Sequence, residues 1–358
     1  MAEPIRILTA VPICDGHDSA ILTINMEFIR HGIEVIYLGY HRSARDMARA
    51  AIQENVRAIG ISSYNGGHVE FFSEVLALLR KQKASHVRVF GGGGGTITKA
   101  DARVMLRRGV DRIFFAGTPY EEMIRFVKER YGGRGAPAPR VEIANRFAHK
   151  PGKTRSRPAL LIGVTGPGGV GKTTLIDELV LRFLHADSGI RIAILSHDPS
   201  IVGKGALLGD RAAMIYSQDD RVFMHSIATR GSLGGLSSAT GPWLGTLKRL
   251  GFDIVLIETV GIGQEAMPFF RTSLDKRVLV ISPDYGSRLQ LHKVAMLDAA
   301  DIVVLNKADS AGARAALSEV KQRLVLNARA QKLVATVANR HRDPGVDELF
   351  GLLKTRSF

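Results

Sequence analysis

The first 131 residues alternate short apolar runs with longer amphipathic stretches. The stretch His68–Gln82, HVEFFSEVLALLRKQ, places apolar residues at the spacing of a helix with one buried face. The apolar runs between such stretches have the length and character of buried strands. Five units of this kind predict a parallel sheet covered by helices on both faces. The predicted strands are Arg6–Val11, Glu34–Leu38, Ala58–Ser62, Val87–Gly91 and Arg112–Phe115.

Three segments follow the first, third and fourth predicted strands: Ile13–Ala20, Ser62–His68 and Phe90–Ile97. Because the carboxyl ends of parallel strands meet at one edge of a sheet, we expect all three segments on one rim. The last of them contains five consecutive glycines, Gly91–Gly95. Glycines in such a run let a bulky or flat group approach the backbone closely. The rim is therefore a candidate site for a large ligand.

Several ligand classes that use this fold lack their signature residues here. A phospho-accepting receiver needs an Asp at the end of the third strand, where Ser62 and Ser63 stand. The loop after the first strand has neither the hydroxyl and Gly residues of a flavin-phosphate loop nor the G-x-G-x-x-G of a dinucleotide-binding domain. It carries His17 between Asp15 and Asp18 instead. A neutral His whose second ring nitrogen is held by a carboxylate is the usual form of a tuned metal ligand.

In the second half, the strand pattern ALLIGVT runs directly into Gly166–Thr173, GPGGVGKT, and the amphipathic stretch TLIDELVLRFL follows. This strand–loop–helix context predicts a P-loop. The N–H groups of Gly168–Lys172 can surround the β-phosphate, Lys172 can reach the β and γ oxygens, and the Thr173 hydroxyl can ligate Mg²⁺. The predicted phosphate-binding residues are Gly166, Gly168, Gly169, Gly171, Lys172, Thr173 and Thr174.

An N-K-x-D motif begins at Asn306, at the end of the strand pattern ADIVVL. The Asp309 carboxylate can accept hydrogen bonds from guanine N1 and the exocyclic amine, whereas adenine would present it with an acceptor. The aliphatic stem of Lys307 can lie over the purine, so the motif indicates GTP. Another apolar strand pattern, FDIVLIETVG, ends in Glu258 and Gly261. There a carboxylate meets Mg²⁺ and a Gly N–H senses the γ-phosphate.

The water-orienting Gln of small signalling GTPases would fall at Ile262, and Gln264 lies two residues later. We therefore expect slow intrinsic hydrolysis, completed by a partner or by carboxylates. Asp198 in ILSHDPS and Asp210 in ALLGDR can act on Mg²⁺ or on water, or serve as helix caps or surface salt-bridge residues. The candidate catalytic residues are Lys172, Asp198, Asp210 and Glu258, and the candidate Mg²⁺ ligands are Thr173, Asp198, Asp210 and Glu258.

Between the two patterns, residues 134–157 carry seven Arg or Lys against the single Glu142, with three prolines and no periodicity. This composition is typical of a solvated basic linker rather than a dedicated binding patch. At 358 residues the chain is long enough for two cores. We predict a first α/β domain at residues 1–131, a linker at 132–157 and a P-loop GTPase domain at 158–358. Both domains are expected to be three-layer sandwiches around a parallel sheet.

The composition of the chain excludes several kinds of site and partner. Cys14 is the only cysteine, which excludes an internal disulfide and a Cys-rich zinc site. No apolar run reaches the ~18 residues that span a bilayer, and the N-terminus opens almost directly into a strand pattern, so we expect a cytoplasmic protein without a signal peptide or membrane partner. The net charge of +15 suits anionic partners, but 6% aromatic residues offer few platforms for nucleic-acid bases.

The rim segments resemble the D-x-H-x-x-G…S-x-L…G-G signature of cobalamin-binding domains, which have a flavodoxin-like (Rossmann-like) fold. The matching positions are Asp15, His17, Ser62, Gly94 and Gly95, with Ala20 and Tyr64 where the family has Gly and Leu. The resemblance implies that His17 replaces dimethylbenzimidazole as the lower axial ligand of cobalt and that Asp15 orients it. It also implies that Ser62 helps to hold the nucleotide tail, and that Gly94 and Gly95 line the tunnel for that tail.

The second half is similar to the MeaB/ArgK-like GTPase chaperones of methylmalonyl-CoA mutase, which are SIMIBI-type P-loop proteins. The matching stretches are GPGGVGKTTL, HDPS, LLGDR, ATRGSLGG, ETVGIGQ and NKAD. In that family the GTPase gates cofactor loading and protects the mutase from inactivation. The resemblance implies that Asp198 and Asp210 belong to the Mg²⁺ cluster. It also implies that Ala228–Gly235 and Gly261–Gln264 move with the nucleotide state.

Together the halves resemble the N-terminal portion of fused isobutyryl-CoA mutases, from Ile5 to about Leu353. In that family a large acyl-CoA-binding barrel follows the GTPase. The chain leaves no room for an eight-fold barrel of ~250 residues, so we expect a separate large subunit to bind the acyl-CoA. The resemblance implies an adenosylcobalamin-binding small subunit fused to a GTPase chaperone, using GTP and Mg²⁺ in a carbon-skeleton isomerisation. We also expect a homo-oligomer.

Two alternatives remain at this point. The chain can be a cobalamin carrier or sensor with GTPase activity that never serves a mutase. It can also be a metallocofactor-insertion GTPase for another enzyme, although such proteins usually carry Cys/His clusters and this chain has one Cys.

Overall fold

The computed structural model describes residues 4–13, 15, 19–133, 140–148, 158–200, 204–232, 234–261, 269, 272–285, 295–327 and 330–355. The chain divides into two compact units. The first comprises residues 1–143 and 198–212, and the second comprises residues 144–197 and 213–358.

The described elements alternate between strands and helices along both units. The strands are β1 Arg6–Ala10, β2 Glu34–Tyr37, β3 Ala58–Ser62, β4 Arg88–Gly93, β5 Ile113–Phe115, β6 Leu160–Thr165, β7 Ile192–Asp198, β8 Ala206–Leu208, β9 Val222–Ala228, β10 Ile254–Glu258, β11 Lys276–Ile281, β12 Ile302–Leu305 and β13 Lys332–Ala335. The helices are α1 Ser19–Arg30, α2 Ala44–Gln53, α3 His68–Lys81, α4 Lys99–Arg108, α5 Tyr120–Tyr131, α6 Arg140–Asn145, α7 Lys172–Ala186, α8 Asp210–Ala213, α9 Thr240–Arg249, α10 Ala295–Ala299, α11 Ala313–Val325 and α12 Pro344–Lys354.

The first unit is built on a six-stranded parallel sheet with the strand order β5-β4-β3-β1-β2-β8. The five strands predicted in the first half are confirmed, with bounds that differ by at most two residues. On one face of the sheet, buried Ile7 and Phe90 pack with Phe28 of α1 and Val127 of α5. The alternation of strands and amphipathic helices was sufficient to predict this arrangement, because each helix buries its apolar face against the sheet.

Local sequence signals fix where two of these helices begin. Ser43 and Asp46 form a capping box at the start of α2, in which each side chain accepts a hydrogen bond from the backbone N–H of the other residue. Thr98 and Asp101 do the same at the start of α4. Each pair satisfies N–H groups that lack a partner inside the helix.

The sixth strand of the first sheet comes from a part of the sequence predicted to lie in the GTPase domain. Strand β8 pairs in parallel with β2, from Glu34 to Ile36. Beyond it, the fully buried Arg211 donates through Nε to Glu54 Oε1 at 2.9 Å and through Nη2 to Gln53 Oε1 at 2.9 Å. Strand β8 supplies partners for backbone N–H and C=O groups of β2 and is itself the edge strand of the sheet. The first unit therefore includes residues 198–212, unlike the predicted boundaries.

The predicted linker also differs from the structure in part. Helix α6 forms within it, and Ile143 and Ala144 on this helix are buried. The prolines and basic residues around this short apolar pair concealed it in the sequence. Residues 134–139 and 149–157 of the predicted linker lie outside the described residues.

The second unit has a seven-stranded sheet with the order β13-β12-β11-β6-β10-β7-β9. The pairs from β13 through β7 are parallel. Strand β6 lies between β10 and β11, so the loop that follows β6 lies at the point where the strand order reverses. Open parallel sheets bind ligands at such a point, beyond the carboxyl ends of the strands.

Replacing Arg211 with Met should lower the free energy of unfolding by about 3 to 5 kcal/mol, because it removes a guanidinium from the buried Glu54 carboxylate. The double variant Arg211→Met/Glu54→Gln removes the charge as well and should recover more than half of that loss. Urea unfolding monitored by circular dichroism measures the loss of free energy of unfolding in each variant, and hydrogen exchange of the β2 amides provides a second measurement. Equal losses in the two variants would show that the buried charge is not the cause.

Candidate functional site

A cavity of about 520 Å³ opens at the carboxyl end of the first sheet. Helix α1 contributes Ile21, Ile24 and Phe28 to its wall, and the sheet contributes Phe90 and Phe114. This volume lies in the range of pockets that hold small organic ligands. The aromatic and aliphatic wall suits a flat apolar group.

The glycine run on β4 has a second role besides the predicted opening for a ligand. A Cβ atom on Gly91 would lie 2.3 Å from the carbonyl oxygen of Ile61, and one on Gly93 would lie 2.0 Å from that of Ser63. These distances are too short for any other residue, so the run allows neighbouring strands to approach β4. The backbone of Gly91–Gly94 also lines the cavity, and the role of the run toward a ligand stays a prediction.

The rim of the cavity joins the loops after β1 and β3. Asp15 is fully buried, and its Oδ2 accepts hydrogen bonds from the backbone N–H groups of Tyr64 and Asn65. The Tyr64 ring lies against Gly94, where a Cβ would come within 1.9 Å of Tyr64 Cε1. The missing side chain of Gly94 thus makes room for the tyrosine that departs from the family's Leu. Gly95 has a φ of +100°, in the left-handed region that favours glycine.

The predicted cobalamin residues are only partly described. His17 lies outside the described residues, as do Cys14 and Asp18, so its role as a cobalt ligand stays a prediction. Ser62 ends β3 and lines the cavity, where it was expected to hold the nucleotide tail. Asp15 was expected to orient His17, and the two amides of the β3 loop are among its hydrogen-bond partners.

The P-loop follows β6 as predicted, and α7 begins at Lys172. The Lys172 ammonium curls back over the loop, donating to the carbonyl oxygens of Gly166 at 3.0 Å and Pro167 at 2.9 Å. The first N–H groups of α7 lack partners inside the helix and face an anion-binding position.

Two of the predicted Mg²⁺ ligands lie together. The Thr173 hydroxyl donates to Glu258 Oε1 at 2.7 Å, at the adjacent carboxyl ends of β6 and β10. A hydroxyl and a carboxylate oxygen at this separation are a donor set that suits Mg²⁺. Asp198 ends β7 and is buried, whereas Asp210 starts α8 directly after β8. No group of three or more His, Cys, Asp or Glu among the described residues is placed to hold a metal, so the further carboxylates stay predictions.

His197 connects the Glu258 strand to another segment, a connection that the sequence analysis missed. Its Nδ1 lies 2.7 Å from the Glu258 carbonyl oxygen, and its Nε2 lies 2.7 Å from Thr240 Oγ1 at the start of α9. Because a carbonyl only accepts, Nδ1 carries the proton and Nε2 accepts from the threonine hydroxyl. Burial lowers the pKa of His197 to about 4, against a smaller opposing effect of the hydrogen bond to Glu258, so the ring stays neutral at physiological pH. The only sequence signal was a His inside a buried strand pattern.

Asn306 joins the guanine motif to the P-loop. Its Nδ2 donates to the Val170 carbonyl at 2.8 Å. Its Oδ1 accepts from the Thr336 hydroxyl and the Ala338 N–H, each at 3.0 Å. The side chain therefore fixes the P-loop relative to the loops after β12 and β13, a role that the N-K-x-D motif alone did not reveal.

Lys307 and Asp309 are exposed just beyond β12, as expected for residues that meet a base. Lys307 has a φ of +57°, which is uncommon for a residue with a side chain. Backbone strain of this kind often marks a functional loop.

The segment after β10 approaches the P-loop closely. A Cβ on Gly261 would lie 2.6 Å from Gly168 Cα. The Val260 N–H also donates to the Gly235 carbonyl at 3.2 Å, which joins the end of the predicted mobile segment Ala228–Gly235 to the residue just before Gly261. Ile262 and Gln264 lie outside the described residues.

Matches to known families agree with both sites described above. Residues 140–354, more than half of the chain, match the family described as methylmalonyl Co-A mutase-associated GTPase MeaB. The chain belongs to the MeaB family of GTPases. Residues 5–124 match the B12 binding domain. The chain thus combines a cobalamin-binding domain with a MeaB-family GTPase domain, and the predicted resemblances are confirmed.

Curated relatives join the same two parts. The chain is 36% identical to the fused isobutyryl-CoA mutase of Cupriavidus metallidurans, over 98% of this chain and 35% of that protein. It is 34% identical to that of Geobacillus kaustophilus, over 97% of this chain and 36% of that protein. It is 35% identical to that of Nocardia farcinica, over 98% of this chain and 36% of that protein. The chain therefore spans about a third of the length of these relatives.

The described helices were compared with the length and apolar character that a membrane span requires. None of them has both the length and the apolar character needed to cross a bilayer.

The close approach of Gly261 to the P-loop yields a prediction for the MeaB-family domain. Gly261→Ala should weaken GDP binding at least tenfold, because the added methyl group must displace the backbone of Gly168. Titration with a fluorescent GDP analogue measures this change. Gly241→Ala on α9 is the matched control, since its methyl meets no described atom within 4 Å. Equal affinity for GDP in the wild type and the Gly261 variant would contradict the assignment of Gly261 to the nucleotide site.

Proposed function

We propose that this chain is the adenosylcobalamin-carrying component of an acyl-CoA mutase, fused to the GTPase that controls its cofactor. The observation that carries the proposal is the joining of two sites in one chain: a cavity in a B12-binding domain and a P-loop in a MeaB-family GTPase domain. The relatives that share both parts are named fused isobutyryl-CoA mutases. A separate large subunit would bind the acyl-CoA, and the assembly would be a cytoplasmic homo-oligomer.

The cobalamin half would use the rim and the cavity. His17 would bind cobalt. Asp15 would fix the loops after β1 and β3, on which the position of His17 depends. Ser62, Gly94 and Gly95 would hold the nucleotide tail in the cavity. When bound, adenosylcobalamin supplies homolytic cleavage of a cobalt–carbon bond. The apolar wall of the cavity would keep water away from that tail.

The GTPase half would hold the nucleotide by complementary contacts. The P-loop N–H groups and Lys172 would bind the phosphates, and the paired Thr173 and Glu258 would hold Mg²⁺ together with Asp198 and Asp210. Asp309 would select guanine. The full set of proposed nucleotide contacts is Gly166, Gly168, Gly169, Gly171, Lys172, Thr173, Thr174, Gly261, Asn306, Lys307 and Asp309.

GTP hydrolysis would gate cofactor loading or protection. The supporting geometry is the pair of contacts that join Gly235 to Val260 and Thr240 to His197. Through these contacts, the conformational effect of a γ-phosphate bound at Gly261 would be transmitted to the segment Ala228–Gly235.

The cobalamin assignment predicts a ligand-dependent spectrum. Adenosylcobalamin added to the wild type should give the base-off/His-on visible spectrum, and His17→Ala should abolish it by removing the cobalt ligand. His31→Ala is the matched control, because His31 is exposed and contacts the Glu27 carbonyl on α1. Identical spectra in the wild type and the His17 variant would reject His17 as the ligand.

The guanine assignment predicts a nucleotide preference. The wild type should hydrolyse GTP in preference to ATP, and Asp309→Asn should reduce that preference at least tenfold by removing the carboxylate acceptor. Steady-state phosphate release with each nucleotide gives the two ratios of kcat/KM. Asp298→Asn, which changes an exposed carboxylate paired with Arg323, is the control. Equal turnover of GTP and ATP by the wild type would rule out the role of Asp309.

A further inference from the structure

A buried histidine lies between the loop after β3 and the start of α4, and the sites described above do not use it. His68 is the first residue of α3 and is 7% exposed. The residue before it, Gly67, is the N-cap of α3, has a φ of +83° and offers no capping side chain. The ring of His68 makes polar contacts on both sides of this helix start.

Each ring nitrogen of His68 faces an acceptor on a different element. Nε2 lies 3.3 Å from Asp101 Oδ2 in the first turn of α4. Nδ1 lies 3.4 Å from the Asn65 carbonyl oxygen in the loop after β3. A carboxylate and a carbonyl only accept hydrogen bonds, and a charged acceptor makes the stronger bond. The Nε2 proton therefore faces Asp101, and the ring joins the start of α3 to the start of α4.

The Asp101 carboxylate is held in place by its own helix. Its Oδ2 accepts hydrogen bonds from the Thr98 hydroxyl at 2.6 Å and from the Thr98 N–H at 3.0 Å. These two hydrogen bonds, with a smaller contribution from His68, lower the pKa of Asp101, so its side chain is a carboxylate at physiological pH. The loop that carries Gly94 and Gly95 ends at Thr98, so His68 is anchored to the end of that loop.

The two loops that His68 connects both contribute to the cavity wall. Ser62 and Tyr64 line the cavity from the end of β3, and Gly94 lines it from the loop after β4. The backbone pairing of β3 with β4 extends to the hydrogen bond from the Ser63 N–H to the Gly92 carbonyl, at 2.9 Å. Beyond that pair each loop leads to its own helix. A contact between the two helix starts therefore limits how far the loops can separate.

We propose that His68 is a positioning residue for the nucleotide tail of cobalamin, because it holds the loops after β3 and β4 at a fixed separation. The inference rests on the proposed function, since it requires the tail to occupy the cavity that these loops line. His68 contacts Asn65 and Asp101, so it acts on the tail through the two loops. A corrinoid without a tail does not occupy this cavity, so its binding does not depend on His68.

The test compares adenosylcobalamin with adenosylcobinamide, which retains the corrin and lacks the nucleotide tail. Equilibrium dialysis against the full chain gives both dissociation constants without any turnover. His68→Phe keeps a buried ring but loses both ring nitrogens. It should weaken adenosylcobalamin binding about tenfold and leave adenosylcobinamide binding unchanged. His31→Phe, at an exposed histidine directly after α1, is the matched control and should change neither constant.

Conservative variants identify the nitrogen and the partner that matter. The amide nitrogen of Gln can take the place of Nε2, and that of Asn the place of Nδ1. His68→Gln should therefore bind adenosylcobalamin within about threefold of the wild type, whereas His68→Asn should resemble His68→Phe. Asp101→Asn retains an acceptor for the Thr98 N–H but removes the charge that faces His68. It should weaken adenosylcobalamin binding in the wild type and have no further effect in the His68→Phe background.

The two corrinoids also separate the possible failures. An equal loss of both in His68→Phe would overturn the inference, because it would show that His68 supports the fold or the corrin rather than the tail. Unchanged adenosylcobalamin binding in His68→Phe would overturn it as well. If that variant does not fold, the comparison of His68→Gln with His68→Asn decides, and equal binding by these two overturns the inference. Failure of the wild type to bind either corrinoid would instead overturn the proposed function.

Discussion

Parallel pairing of strands is the constraint on which both sites depend. Each parallel strand must begin at the same edge as its neighbours, so the loops that leave the strands collect at the opposite edge. In the first unit this collects Ser62, Tyr64 and Gly94 around one cavity. In the second unit it brings Thr173 to Glu258, although they are 85 residues apart in the chain. Chemistry at either edge therefore depends on the register of the sheet.

Much of this fold could be predicted from the sequence, because its signals are local. The apolar runs of the first half gave strand bounds to within two residues, and the P-loop motif gave the junction of β6 with α7. Strand β8 could not be predicted. It has three residues, it lies within a GTPase motif, and its partner β2 is distant in sequence. It forms by pairing with β2, and no local pattern in the sequence encodes a pairing over that distance.

In the two sites as well, features encoded by short motifs could be predicted, whereas contacts between distant segments could not. Motifs predicted that Thr173 and Glu258 would share a cation site, and the two side chains contact each other. The hydrogen bonds of His197 and Asn306 were missed, because each depends on segments that only the folded sheet brings together. The run Gly91–Gly95 was interpreted only as an opening that lets a ligand approach the backbone. Its close contacts with neighbouring strands appear only once the register is known.

Strand β8 also has a consequence for synthesis of the chain. The ribosome releases the chain from its N-terminus, and α5 ends at Tyr131, whereas Arg211 follows about 80 residues later. At roughly 5 to 20 residues per second, the first sheet waits on the order of 4 to 16 s before its last strand emerges. During that interval the edge of β2 and the Glu54 carboxylate lack the partners that β8 and Arg211 supply. The first sheet is thus completed only after the P-loop and β7 have been translated.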